Sequence, residues 1–200
     1  MLKIQDGKVI DSNVTLKVFS TLEHGQMNEV HAIVVHQTGG QSSAGTLSQY
    51  ENSSVGAHFL VDKDGTIYQT ARVTQKCLHV GKIQSRCYVS QSCAPAEKKA
   101  IDAILYKKGT SYSNRVSNLS AHEMTKRYPE RYPTNDDSIG IEVVGALKNG
   151  EYESPSDQQA LKVKWLISGL LEALKLESVD VYRHPTVSYK QKSEAAKVAW

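Results

Sequence analysis

Long apolar runs are missing from this 200-residue sequence, and so is a large excess of charge of either sign. No stretch approaches the ~20 apolar residues needed to cross a bilayer, so we expect no membrane span. The N-terminus, MLKIQDGKVIDSNVTLKVF, has no apolar segment of the secretory type, and we expect no standard signal peptide. The net charge of +3, from 24 basic and 21 acidic residues, is too small to indicate a nucleic-acid-binding protein.

Cysteine is also scarce, with Cys77, Cys87 and Cys93 as the three examples. An odd number leaves at least one cysteine unpaired within the chain. Cys87 and Cys93 are close enough to close a small disulfide loop in an oxidising compartment, and free thiols are equally compatible with the spacing. What is present, 40% hydrophobic and 22% charged residues, is typical of one globular domain, so we expect residues 1–200 to form a single domain, alone or within a longer protein.

Four segments have the pattern of β-strands. HAIVVHQTGG indicates a buried strand that ends in a loop, and AHFLVDKDGTIYQTARV indicates a hairpin around Asp64-Gly65. DSIGIEVVGAL and SVDVY are the other two, and PSDQQALKVKWLISGLLEALKLE between them predicts a helix with Ser156 as N-cap and Gln159 at N3. The apolar stripe that we predict for this helix consists of Leu161, Trp165, Leu166, Leu170 and Leu174.

The order of these segments predicts an α/β fold, a central mixed β-sheet flanked by helices. Between about 83 and 136 the pattern is weaker, with one helical segment, APAEKKAIDAILYKK, and a polar stretch that indicates a short helix and a loop. We therefore expect an inserted helical and loop region there.

Two histidines stand where predicted strands end, His36 after AIVV and His184 after VDVYR. Glu194 follows His184 by ten residues, which allows a loop to fold back. These three would form a two-imidazole, one-carboxylate zinc set with a fourth position open for water. Glu142 lies inside an apolar strand, where a carboxylate is costly to bury unless it has a partner or a task. Lys192 is two residues from Glu194, and each of these residues also has an ordinary structural interpretation as a polar surface group.

Taken together, the motifs resemble the zinc-dependent N-acetylmuramoyl-L-alanine amidases, the amidase-2 family that includes peptidoglycan recognition proteins and T7-type lysozymes. AIVVHQTGG resembles the strand with the first zinc histidine, and SVGAHFLVDKDGTIYQ with CLHVGK resembles the family's hairpin and the segment after it. NDDSIGIEVVG resembles the strand with the catalytic glutamate. RHPTVSYKQKSE resembles the loop in which a lysine follows the histidine by eight residues and the third ligand by ten.

The resemblance implies a role for each matching residue. The residues that would bind Zn²⁺ are His36, His184 and Glu194. Glu142 would be the general base, and Lys192 would stabilise the oxyanion. His58 and His79 stand at positions that often line the substrate groove. The chain departs from the family pattern at Glu194, where Asp or Cys is usual, at the following AAK in place of Pro-Gly, and at Ala57 in place of a tyrosine.

The implied activity is hydrolysis of the amide between N-acetylmuramic acid and the L-alanine of the stem peptide, with peptidoglycan as the partner. The alternatives are a non-catalytic peptidoglycan-binding protein on the same fold, and a zinc hydrolase of another amide. Three settings agree with the sequence: cytoplasmic recycling, a phage endolysin, and a type VI-like antibacterial effector with an immunity protein or secretion machinery as partner. The region 83–136 and the candidate disulfide favour delivery to the periplasm or the cell exterior by a route without a signal peptide.

Overall fold

A seven-stranded mixed β-sheet forms the centre of the computed structural model, which describes residues 2–200. The strands in chain order are β1 Ile4–Gln5, β2 Lys8–Val9, β3 Val14–Leu16, β4 Ala32–Gly39, β5 Phe59–Val61, β6 Ile67–Gln69, β7 Ser138–Lys148, β8 Glu151–Tyr152 and β9 Val181–Arg183. Six of them have the spatial order β3-β6-β5-β7-β4-β9, β8 pairs with β7, and β1 and β2 form a separate pair. The strands β5, β7, β4 and β9 run parallel, whereas β5–β6 is the predicted antiparallel hairpin. The mixed-sheet α/β prediction is therefore confirmed.

Helices connect and cover these strands. They are α1 Ser43–Tyr50, α2 Arg86–Val89, α3 Pro95–Leu105, α4 Tyr112–Glu123, α5 Asp157–Leu174 and α6 His184–Val187, with 3-10 turns at Ser20–Leu22 and Ser178–Asp180. Three of them, α2 to α4, occupy the region predicted to be helical and loop-rich, and a disulfide there joins Cys87 to Cys93, whereas Cys77 is a buried free thiol. Among the described residues, no helix combines the length and the apolar character that crossing a membrane requires.

The two faces of the central strands are covered by different parts of the chain. One face carries Ile33, Val35 and Ile141, which share a buried cluster with α5. The opposite face carries Ala32 and Val34, in a second cluster with residues before and within the 83–136 region. Side chains alternate along a strand, so His36 and Glu142 share the face that does not contact α5.

The buried side of α5 differs from the predicted stripe. Leu161 is 69% exposed, and the buried residues of the helix are Gln159, Val163, Leu166, Ile167 and Leu170. Leu161 lies five residues before Leu166, about 140° around the helix axis, so it cannot share that face. The N-cap prediction is confirmed because Ser156 Oγ accepts from the Gln159 backbone N–H at 3.1 Å.

The segment SVDVY is only partly a strand. Residues 178–180 form a 3-10 turn, with Val179 71% exposed, and the strand begins at Val181. Three paired residues are still sufficient to place β9 beside β4, with Val35 opposite Arg183. This pairing brings His184, the residue that follows β9, to the end of β4.

Candidate metal centre

Three neighbouring parallel strands deliver the candidate residues to one place. His36 on β4 is in register with Glu142 on β7, and His184 follows β9 directly. Ligand sites in such sheets lie outside the carboxyl ends of the strands, where side chains of adjacent strands converge. Glu194 reaches the same point from the loop after α6, which folds back over ten residues.

The three candidate ligands lie in direct contact. His36 Nδ1 lies 2.8 Å from His184 Nδ1, and His184 Nδ1 lies 2.8 Å from Glu194 Oε1. The distance from His36 Nδ1 to Glu194 Oε1 is 3.6 Å. All three side chains are buried, and one ligand atom from each lies within 4.8 Å of the others. Glutamate, although longer than the usual aspartate or cysteine, therefore reaches both imidazoles.

The donor set fits a cation. His184 Nε2 lies 2.9 Å from the Val80 carbonyl oxygen, which can only accept, so Nε2 carries a ring proton and Nδ1 is the nitrogen left for a metal ion. This nitrogen faces the Glu194 carboxylate, so a cation bound between them would contact one imidazole nitrogen and one carboxylate oxygen. Two neutral imidazoles and one carboxylate are the ligand chemistry of a catalytic zinc site with an open position.

Burial and proximity perturb the protonation of this group. Burial, followed by the charge of His184, lowers the pKa of His36 to about 4, so this imidazole is neutral near pH 7. Burial acts to raise the pKa of Glu194, but contacts with His184 and His36 outweigh it and lower the pKa to about 2. His36 and Glu194 are therefore in the protonation states that metal binding requires.

Glu142 stands beside this group and is chemically different from Glu194. Its side chain is surrounded by protein with partial access from the cavity, and its Oε2 is buried without a hydrogen-bond partner. Burial, reinforced by repulsion from Glu194, raises the pKa of Glu142 to about 8, and Lys190 acts in the opposite direction. Two nearby carboxyl groups whose pKa values are driven apart are typical of acid–base sites.

These residues line an open cavity of about 350 Å³. Its floor contains His36, His79, Glu142, His184 and Glu194, and its rim contains Val55, Leu78, Tyr152, Lys190 and Gln191. The floor is polar and titratable, whereas the rim mixes apolar and hydrogen-bonding groups.

The structure does not bring every predicted site residue to the cavity. Lys192 is exposed and is absent from the cavity lining, where Lys190 is the lysine present among the described residues. His79 lines the cavity, but its Nδ1 lies 3.0 Å from His36 Nε2, so it contacts a candidate ligand. His58 is fully buried, with Nδ1 accepting from the Gly140 N–H and Nε2 bonded to the Gln75 carbonyl, so it has no free ring nitrogen for substrate.

Three residues that hold parts of the candidate site in place were not predicted from the sequence. Gln37 Oε1 accepts from the backbone N–H of Ala195, which anchors the loop of the third ligand to β4. Asn135 Oδ1 accepts from the N–H groups of residues 79 and 80 and holds that segment beside the site. Gly140 leaves room for the His79 ring, because a Cβ there would lie 2.8 Å from two ring atoms. The motif NDDSIGIE contained two of these residues, but nothing in it indicated their partners.

A second cluster of possible ligands lies in the 83–136 region and already contains a cation. Glu97, His122 and Glu123 approach one another between α3 and α4. Lys126 Nζ lies 2.5 Å from Glu97 and 2.6 Å from Glu123, at the centre of the group. This cluster is an ion-pair network that joins two helices, so the His36 group is the better metal candidate.

Two solved structures are similar to this chain in overall fold. A selenomethionine derivative of AmpD superimposes with a TM-score of 0.58 at 15% identity, covering 96% of this chain and 90% of that one, which supports the fold alone. A mutant endolysin from Bacillus subtilis is 18% identical with a TM-score of 0.49, covering 86% of this chain and 82% of that one. The search of curated proteins found no match.

A mixed sheet with two buried histidines and a carboxylate grouped at its carboxyl edge is consistent with the class of amide hydrolases that the motifs resemble. The model of the Amidase_2 family, N-acetylmuramoyl-L-alanine amidase, matches residues 26–196, and the chain belongs to that family. The prediction of an enzyme of this class is thereby confirmed. The match also runs through residues 83–136, which the motifs had left unassigned.

Proposed function

We propose that the protein is a zinc-dependent peptidoglycan amidase that cleaves the amide between N-acetylmuramic acid and the L-alanine of the stem peptide. The observation that carries the proposal is the contact of Glu194 Oε1 with His184 Nδ1 at 2.8 Å, beside the unpartnered Oε2 of Glu142. The first completes a ligand set and the second supplies a base within the same cavity. The family match supports peptidoglycan as the substrate.

In this proposal, His36, His184 and Glu194 hold the zinc ion. When bound, zinc supplies Lewis-acid polarisation of the scissile carbonyl and lowers the pKa of water. Glu142 accepts a proton from the attacking water and then donates it to the departing amine nitrogen, so one carboxyl group acts as base and then as acid. Its environment favours the second step, because burial stabilises the protonated form.

A lysine of the 184–194 loop would stabilise the negative charge that develops on the carbonyl oxygen. The family resemblance assigns this role to Lys192, which is exposed outside the cavity lining. Lys190 lies on the cavity rim and acts electrostatically on Glu142. We propose that the lysine that serves this role is one of these two, and paired substitutions distinguish them.

The alternative of a non-catalytic binding protein depends on the third ligand. Binding without catalysis would be favoured by a Glu194 too distant to complete the metal site. Its contact with His184 supports the catalytic proposal instead. A further alternative is a zinc hydrolase that acts on another amide. Hydrolysis of peptidoglycan together with no hydrolysis of small peptide amides would exclude it.

The test is mass spectrometry of the products released from purified sacculi. Wild type with zinc is expected to release free stem peptides, and chelation or Glu142→Gln to abolish release. Glu51→Gln, which alters an exposed carboxylate outside the cavity, is the matched control and retains release. Retention on sacculi without release under any condition would contradict the amidase and favour the binding protein.

We also propose that the enzyme acts outside the cytoplasm, as an endolysin or a delivered effector. The Cys87–Cys93 disulfide supports this location, because such bonds persist in oxidising compartments. Thiol labelling of the protein recovered from the periplasm and from the cytoplasm tests the proposal. Full labelling of both cysteines in active enzyme from the periplasm would contradict it.

A further inference from the structure

The interaction of His79 with His36 determines which nitrogen of His36 is free to bind a metal. His79 Nδ1 lies 3.0 Å from His36 Nε2, on the side of that ring opposite to His184 and Glu194. The two imidazoles are buried and meet edge to face, with ring centroids 5.1 Å apart. One of the two contacting nitrogens must donate and the other must accept.

The environment of His79 determines which one donates. His79 Nε2 lies 3.2 Å from the Ser138 carbonyl oxygen and 3.4 Å from Ser138 Oγ. The carbonyl can only accept, and the hydroxyl already donates its proton to the Thr134 carbonyl at 2.5 Å. His79 Nε2 therefore carries the proton of the neutral ring, and His79 Nδ1 is an acceptor.

The same reasoning then applies to His36. Because His79 Nδ1 accepts, His36 Nε2 carries the proton, and the lone pair of His36 lies on Nδ1. That atom faces His184 Nδ1 at 2.8 Å and Glu194 Oε1 at 3.6 Å. The backbone carbonyl of Ser138 thus sets the tautomer of His36 through the ring of His79.

We propose that His79 is a positioning residue that fixes the tautomer and the ring orientation of His36 for metal binding. The inference rests on the proposed metal site and revises the substrate-groove prediction for His79. The ring is itself held in place, because Asn135 accepts from its backbone N–H at 2.9 Å and Gly140 leaves the space that it fills. Partners that orient a ligand histidine typically contribute 10–100-fold to metal affinity.

The experiment measures zinc affinity by competition with a chelator in three variants. His79→Leu removes the acceptor and is expected to weaken zinc binding about 10–100-fold. His79→Asn places an amide oxygen near the position of Nδ1 and is expected to recover most of that loss. His24→Leu removes an exposed histidine and is the matched control, with wild-type affinity. Zinc affinity of His79→Leu within twofold of wild type would overturn the proposal.

A second measurement needs no metal and tests the role of His79 apart from the proposed function. Nitrogen-15 NMR of the metal-free wild type is expected to show His36 protonated at Nε2, and His79→Leu to lose that preference. Protonation of wild-type His36 at Nδ1 would overturn the inference. Failure of wild type to bind zinc or release stem peptides would instead contradict the proposed function, while the tautomer measurement would still decide the role of His79. Thermal unfolding of each metal-free variant identifies any loss that comes from folding.

Discussion

Glu142 should make the metal-free protein less stable as the pH rises. The folded state raises the pKa of this carboxyl from the ordinary 4.5 to about 8, with burial as the largest cause and Glu194 as the next. Between these values the folded protein holds a proton that the unfolded chain has released. The stabilisation is therefore fully present below about pH 4.5 and is lost as the pH rises through about 8.

The magnitude follows from the difference between the two pKa values. At about 1.4 kcal/mol for each tenfold change in proton affinity, the upper limit is about 5 kcal/mol. The side chain keeps partial access to the cavity, so we expect a few kcal/mol. Glu142→Gln has nearly the shape of the protonated acid and cannot ionise. It should match wild type near pH 5 and become progressively more stable than wild type up to pH 9.

The assay is urea unfolding of chelator-treated protein at pH 5, 7 and 9, with Glu51→Gln as the control for losing an exposed carboxylate. The difference in unfolding free energy between variant and wild type removes the contributions of the other titrating groups. A difference that is the same at all three pH values would refute the reasoning, because it would show that Glu142 ionises alike in the folded and unfolded states. If Glu142→Gln gains stability and loses turnover, the charge of Glu142 is required for catalysis and destabilises the folded state.

Two further predictions concern the loop and the core. Lys190→Met should lower kcat/KM on a soluble muramyl peptide by about 10²–10³ and more than Lys192→Met does, because Lys190 lies on the cavity rim; a larger loss in Lys192→Met would restore the assignment made by resemblance. Leu166→Ala should cost about 2–5 kcal/mol of unfolding free energy in urea titrations, because the side chain is fully buried, whereas Leu161→Ala at a 69% exposed position should change it by about 0.5 kcal/mol or less. Equal effects of the two leucine substitutions would contradict the observed face of α5.

The sequence alone determined the features that depend on local pattern and spacing. The β-branched run that precedes His36 indicated a buried strand, and an ionisable residue inside the apolar run of β7 marked Glu142. The spacing of ten positions from His184 to Glu194 permitted a loop that returns to its starting point, and the structure has that loop. Such features can be predicted without the tertiary structure, because the pattern of a strand, the cost of burying a charge and the length that a loop can span are properties of short segments.

Only the tertiary structure decided which side chains face the cavity and which distant residues contact one another. Lys190 and Lys192 are two residues apart in one loop, and the path of that loop, anchored by Gln37 to Ala195, determines which one faces the cavity. The interaction of His79 with His36 joins residues 43 positions apart and depends on a carbonyl of β7 that no sequence pattern displays. Hydrogen bonds of this kind are set by the position and orientation of whole elements, which is the physical reason that they appear only when the chain is folded.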